Sequence, residues 1–207
     1  MSIRSLLATS LGRRDETPNQ ELAKIICTKN DMSAVAELID LLQNGQKDIQ
    51  SDSIKVLYEI GAINPKLISG YLDVFIKTLQ SKNNRLQWGA MTALHYMTPE
   101  NPKGIYKNLI KILETADRGS VITKDHCIGI LIELCKIKEY NKHAFTFLID
   151  RLAQSPTNQL PMYAEQAVAV INSTNKKEFI KTLHDRLHDV EKDSKKKRIE
   201  KIIKKLG

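Results

Sequence analysis

The stretch YLDVFIKTLQSKNNRLQWGAMTALHYM, residues 71–97, decides the fold, because each of its halves recurs in the same order along the chain. Its first half carries Phe75-Ile76-Lys77-Thr78-Leu79. Counterparts are LIDLL at 38–42, LIKIL at 109–113, LIDRL at 148–152 and LHDRL at 183–187, with starts 37, 34, 39 and 35 residues apart. The second half is anchored on Leu94, with Ala93 before it and the small Ala90 one helical turn back. The same pattern places Val56 and Ser53 before Leu57, Ile130 and Cys127 before Leu131, and Val170 and Ala167 before Ile171. A fifth copy, on Ile203, has Ile202 but puts Ile199 where the others have a small residue.

Self-similarity with a period of roughly 33–47 residues, two amphipathic helices to the period, is the signature of an α-solenoid. One helix pair cannot bury its own apolar stripe, so it stacks on the next pair. A small residue such as Ala90 then lets neighbouring backbones approach.

The nine residues Leu86-Gln87-Trp88-Gly89-Ala90-Met91-Thr92-Ala93-Leu94 resemble the second helix of the HEAT repeat family, which reads apolar-Arg-x-x-Ala-x-x-Ala-Leu. The resemblance covers about residues 35–175, with a degraded copy after it. It implies an all-α, right-handed α-solenoid of about five HEAT-like two-helix repeats with a helical N-terminal cap. Where the family places the arginine of its Asp/Arg ladder, this chain has Gln50, Gln87, Lys124 and Ala164, so the ladder is largely missing. The tetratricopeptide signature Trp-x-x-Leu-Gly-x-x-Tyr is absent, and Trp88 stands in the wrong half of the unit for it.

Composition agrees with helix stacking: 42% of residues are hydrophobic and 27% charged, but only 5% are aromatic. Three cysteines, Cys27, Cys127 and Cys135, have no paired C-x-x-C spacing, so neither a disulfide framework nor a thiolate zinc site is indicated. No apolar run reaches membrane-spanning length, and the apolar run Leu6-Leu7-Ala8 is too short for a signal peptide. A reduced, cytoplasmic setting is the expectation, with no membrane partner and no cofactor.

In chain order, residues 1–31 read as a cap: a short helix, a turn at Thr17-Pro18-Asn19, and a helix from Glu21 to Thr28 with Leu22, Ile25 and Ile26 on its buried stripe. Residues 32–207 form the array, a single domain with the cap. Asn44-Gly45 ends the first helix of unit one and Pro65 stops its second, while Pro99 and Pro102 close unit two. Unit three carries a longer turn over 115–123, containing Asp117, Arg118 and Gly119. In unit four Pro161 begins the second helix, where its missing N–H costs nothing.

The formal net charge is +8, and residues 175–207 hold an excess of six positive charges. Lys195, Lys196, Lys197, Arg198, Lys201, Lys204 and Lys205 make a basic helix over 195–206 with the stripe Ile199, Ile202, Ile203, Leu206. Such a helix suits either a solvated cap or a sequence-independent grip on phosphates, which makes nucleic acid the alternative partner.

In a HEAT-like stack the second helices line the concave surface, so register names the partner-binding candidates. Two positions before the anchor stand Lys55 and Thr92; two after it stand Glu59, Tyr96 and Glu133; six before it stands Trp88, and His95 directly follows its anchor. The mixed signs of this surface favour a protein partner, and Trp88 with Tyr96 supplies aromatic anchors. No Gly-rich phosphate loop, G-x-S-x-G or nucleophile–base pair suggests catalysis, so the catalytic set is empty. His184-Asp185-Arg186-Leu187-His188, with Glu191, is similar to the zinc-protease H-E-x-x-H, but the shorter acid and terminal position make a solvated face the expectation, with no metal site. The chain also resembles the HEAT-like alkylpurine DNA glycosylases in length, basic pI and architecture. Their catalytic acid and arginine have no counterparts at the inward positions, where Thr92 stands one turn after Trp88.

Overall fold

A computed structural model describes residues 2–207, and among them helices are joined by short turns with no strand. Two compact units result, Met1–Cys127 and Ile128–Gly207.

In the first unit α1 (Thr17–Lys29), α2 (Met32–Asn44), α3 (Lys47–Ile63), α4 (Leu72–Thr78) and α5 (Asn84–Met97) follow one another, then α6 (Pro102–Lys107) and α7 (Leu109–Arg118). α3 packs between α1 and α5, and each second helix is backed by the first helix of its own repeat, α2 behind α3 and α4 behind α5. The anchors Leu57 and Leu94 are fully buried, as are Ser53 and Ala90. α3 and α5 approach closely at Gly89: a Cβ there would lie 2.7 Å from Cγ1 of Ile54. The helix ends follow local chemistry. Asp31 caps α2 by accepting from the Ala34 N–H at 2.9 Å, Gly45 closes it, and Asn30 turns out of α1 in the left-handed region at φ 49°.

Three expectations are corrected in this unit. The helix of the N-terminal segment begins at Thr17, not Glu21, with Pro18 in its first turn, where no intrahelical N–H is lost. On that helix Leu22 and Ile26 are buried, but Ile25 is 51% exposed. The turn expected over 115–123 is only Gly119-Ser120, because α7 continues to Arg118 with Thr115 and Ala116 on its core side. The Thr115 hydroxyl donates to the Lys111 carbonyl, which allows a residue of loop-like composition to sit inside a helix.

α8 (Val121–Cys135) spans the boundary between the units, with Leu131 fully buried. The second unit continues with α9 (Asn141–Gln154), α10 (Leu160–Ala167), α11 (Lys176–Leu187) and α12 (Asp193–Leu206). Here α9 packs on α11 and α10 on α12. Pro161 lies in the first turn of α10, as its spacing predicts. The anchor Ile171 is a correction: α10 stops at Ala167, and Ile171 is extended and half-buried. The following Asn172 and Asn175 take the backbone bonds that a longer helix would make: Asn175 donates to the Val170 carbonyl and accepts from the Asn172 N–H.

The glutamines that replace the ladder arginines have their own use. Gln50 Nε2 donates to the Leu42 carbonyl at 3.0 Å, and Gln87 Nε2 to the Leu79 carbonyl at 3.1 Å. Each bond runs back eight residues to the end of the first helix of the same repeat, satisfying a carbonyl left over where that helix stops.

Candidate functional site

The face formed by α3 and α5 in the first unit gathers most of the partner-binding candidates. α3 is enclosed by α1, α2 and α5, so little of it reaches solvent, and Lys55 is 4% exposed. A buried ammonium needs carboxylates. Lys55 Nζ has two, Glu59 Oε1 at 2.7 Å one turn along its own helix and Glu16 Oε2 at 2.7 Å from the segment before α1. Burial acts against the charged form of Lys55, but hydrogen bonds to Glu16, Glu59 and Tyr58 outweigh it and hold the pKa above the ordinary lysine value. Glu16 also takes Arg85 Nη2 at 2.9 Å, so one carboxylate joins two cations from successive second helices.

Aromatic rings continue the face. The Tyr58 ring lies 4.8 Å from Lys55 Nζ, and Trp88 packs against Tyr58 with ring centroids 5.5 Å apart and a 51° tilt. Trp88 therefore contacts the preceding repeat while keeping part of its surface open. Further along α5, His95 and Tyr96 stack at 5.4 Å with planes 11° apart, and His126 of α8 approaches both. Thr92 does not face outward as its register suggested: it is 4% exposed, and its hydroxyl donates to the Trp88 carbonyl at 2.8 Å. Lys55 is likewise a buried pairing group rather than an exposed contact. Glu133 lies in the second unit, bonded to Lys136 at 2.6 Å.

Tyr58, Glu16, Arg85 and His126 belong to this site and were missed by register. Tyr58 was within reach, since it follows Leu57 as His95 follows Leu94. Glu16 had no signal, because its partners stand 39 and 69 residues away on other helices.

On α12, Ile199 and Ile202 are buried as expected. Two of its cations are engaged: Arg198 forks onto Glu165 at 2.8 and 2.6 Å, and Lys195 Nζ bonds the Asn158 carbonyl at 3.2 Å. That guanidinium draws the Glu165 pKa below the usual carboxylate range. Lys196, Lys197, Lys204 and Lys205 form no ion pair among the described residues, while the charge of Lys201 acts on Glu165 beside Arg198. His184 and His188 are exposed, while Arg186 between them turns inward, donating to the carbonyls of Leu152, Ala153 and Ser155. Among the described residues no group of three or more His, Cys, Asp or Glu side chains could hold a metal, and no helix is long and apolar enough to cross a membrane.

No protein-family model matches the chain, and no curated protein matches it in sequence. Solved structures do match in fold. A designed armadillo repeat protein in complex with peptide (KR)4 superposes with a TM-score of 0.66 at 14% identity, covering 91% of this chain and 87% of that one. Computationally designed armadillo repeat proteins for modular peptide recognition give 0.67 at 14% identity, covering 99% and 96%. An engineered protein gives 0.64 at 18% identity, covering 100% and 98%. These likenesses establish the class: an all-α helical-repeat protein with the armadillo-like solenoid fold. The similarity to the alkylpurine glycosylases finds no support in them.

Proposed function

We propose that this chain is a non-enzymatic scaffold that binds an extended peptide segment of a protein partner along the α3–α5 face of its first unit. The observation that carries this reading is the row Glu59, Trp88, His95, Tyr96, with Tyr58 buried behind Trp88. Aromatic and charged groups there stand partly open on helices that are otherwise packed. Half-buried aromatic rings on rigid helices lose little freedom on association, which makes them efficient anchors. Two of the similar structures are described as peptide-bound or built for peptide recognition, and the reading carries that use across by fold analogy. The test is selection from a random-peptide display library. Peptides retained by the full chain should lose roughly ten-fold or more in affinity against Trp88→Ala and against Tyr96→Ala. Unchanged affinity for both variants would remove the α3–α5 face as the site.

A second reading has its own observation, the four lysines of α12, Lys196, Lys197, Lys204 and Lys205, that lack ion pairs among the described residues. If they grip phosphates, duplex or single-stranded DNA binds the chain with an affinity that falls steeply as salt rises. Replacing Lys196, Lys197, Lys204 and Lys205 by Gln should flatten that slope. Absence of binding at low salt would discard this reading.

A further inference from the structure

We propose that the Lys55–Arg85 cation pair is a carboxylate-recognition subsite for an acidic segment of the partner, and that Glu16 of the chain's own N-terminal segment occupies it in this structure. The inference rests on the α3–α5 face being the peptide-binding surface and names the chemistry that surface selects.

The two carboxylates on Lys55 are not equivalent. Glu59 is one turn along the same helix, so its backbone stays within reach of Lys55 whatever the N-terminal segment does. Glu16 comes from residues 9–17, all exposed, strung between the buried Leu7-Ala8 and Pro18-Asn19. When Glu16 moves away, Lys55 keeps Glu59 and the buried ammonium is not orphaned. The place Glu16 vacates is a built one: the Lys55 side chain is only 6% exposed and aims its ammonium there.

Arg85 offers more than Glu16 takes. Glu16 engages Nη2 alone, while the buried Arg85 Nε has no acceptor among the described residues. A guanidinium fork prefers two parallel bonds to one carboxylate. Beside it lies a cavity of about 580 Å³, bounded by residues 8–16 and by the first turns of α3 and α5. Arg14 and Lys47 line this cavity without an ion pair among the described residues. Of its other acids, Asp15 is paired with Arg13, while Asp48 and Asp52, the latter bonded only by the Thr9 N–H and Asn19, stand against Arg14, Lys47 and Arg85 in the balance an incoming anion meets. Tyr58 adjoins Lys55 and carries Trp88 against it, and the half-buried Trp88 would meet an apolar side chain next to the acidic one.

A tethered carboxylate competes at a high effective concentration, so its removal raises apparent affinity for the external one. The experiment titrates fluorescent hexaglutamate and hexalysine peptides into the full-length chain at low salt. Glu16→Gln is expected to tighten hexaglutamate binding about ten-fold, with no gain for hexalysine. Adding Arg85→Gln, a substitution of a part-exposed side chain, should abolish the gain. Asp40→Asn, the same charge change on α2, should not reproduce it. The proposal is overturned if Glu16→Gln binds hexaglutamate as the parent does, if Asp40→Asn gains equally, or if Arg85→Gln leaves the gain intact. Library peptides that need Trp88 but ignore Glu16→Gln would end this inference and leave the binding surface standing. Library binding that is independent of Trp88 and Tyr96 would end both.

Discussion

The Nδ1 atoms of His95 and His126 face each other at 3.0 Å, joining the second helix of the second repeat to the start of α8. Such a contact needs one nitrogen to donate and the other to accept, so at most one Nδ1 carries a proton. Burial lowers the His126 pKa, against an opposing pull from Asp125. The folded state therefore binds the proton less readily than the unfolded chain. The stability linked to His126 is complete above about pH 6.5, the unfolded value, and is lost as pH falls through the depressed folded one. Urea midpoints measured from pH 7.5 down to 5 should fall more for the parent than for His126→Gln. Parallel profiles would contradict the linkage.

Gly89 of α5 packs directly on Ile54 of α3. Alanine there gains helix propensity of about 1 kcal/mol, but its Cβ would press on Ile54 Cγ1 at 2.7 Å. Overpacking typically costs about 1–3 kcal/mol, so the net change should be destabilising. Ile54→Ala in the Gly89→Ala background should cost less than the two single changes added together, because it removes the Cγ1 and Cγ2 atoms that the new Cβ meets. Thermal unfolding of the single and double variants decides the point.

Gln50→Ala and Gln87→Ala should each cost on the order of 1 kcal/mol, the worth of one hydrogen bond to a helix-end carbonyl. The two bonds lie in successive repeats and share no partner. Their effects should add, which denaturant midpoints of the single and double variants will show.

Glu165→Gln removes the carboxylate on which Arg198 forks. Both side chains are close to half exposed, so solvent screens the pair and the loss should stay within about 1 kcal/mol. The depressed Glu165 pKa adds a sign: the contribution is present above the ordinary glutamate range and disappears as pH falls through the lowered value. The stability difference between parent and variant should shrink on acidification and in high salt.

The repeat was legible because its signal is periodic. Leu57, Leu94 and Leu131 are fully buried at the spacing read from the sequence, and helix stops at Asn44 and Ile63 follow Gly45 and Pro65. What lacks a period was not legible. Glu16, Lys55 and Arg85 meet because three helices bring them together, and nothing local in DETPN, SIKVL or NNRLQ marks the meeting. Thr92 and Lys55 occupy outward-facing register positions, yet the neighbouring helices crowd in far enough to bury both. Ile171 misled for a different reason: asparagines just beyond it competed for the backbone and ended α10 early.

Arg186 reaches back more than thirty residues to hold the carbonyls at the end of α9. A helix terminus closed by a side chain from the next first helix makes repeat length itself a measured quantity in this stretch. A residue inserted or deleted between α9 and α11 would leave both helices intact, and Arg186 keeps its carbonyls only where the connecting turns absorb the change. The bond from Arg186 thus reports whether the two helices still meet in register after any change of length between them.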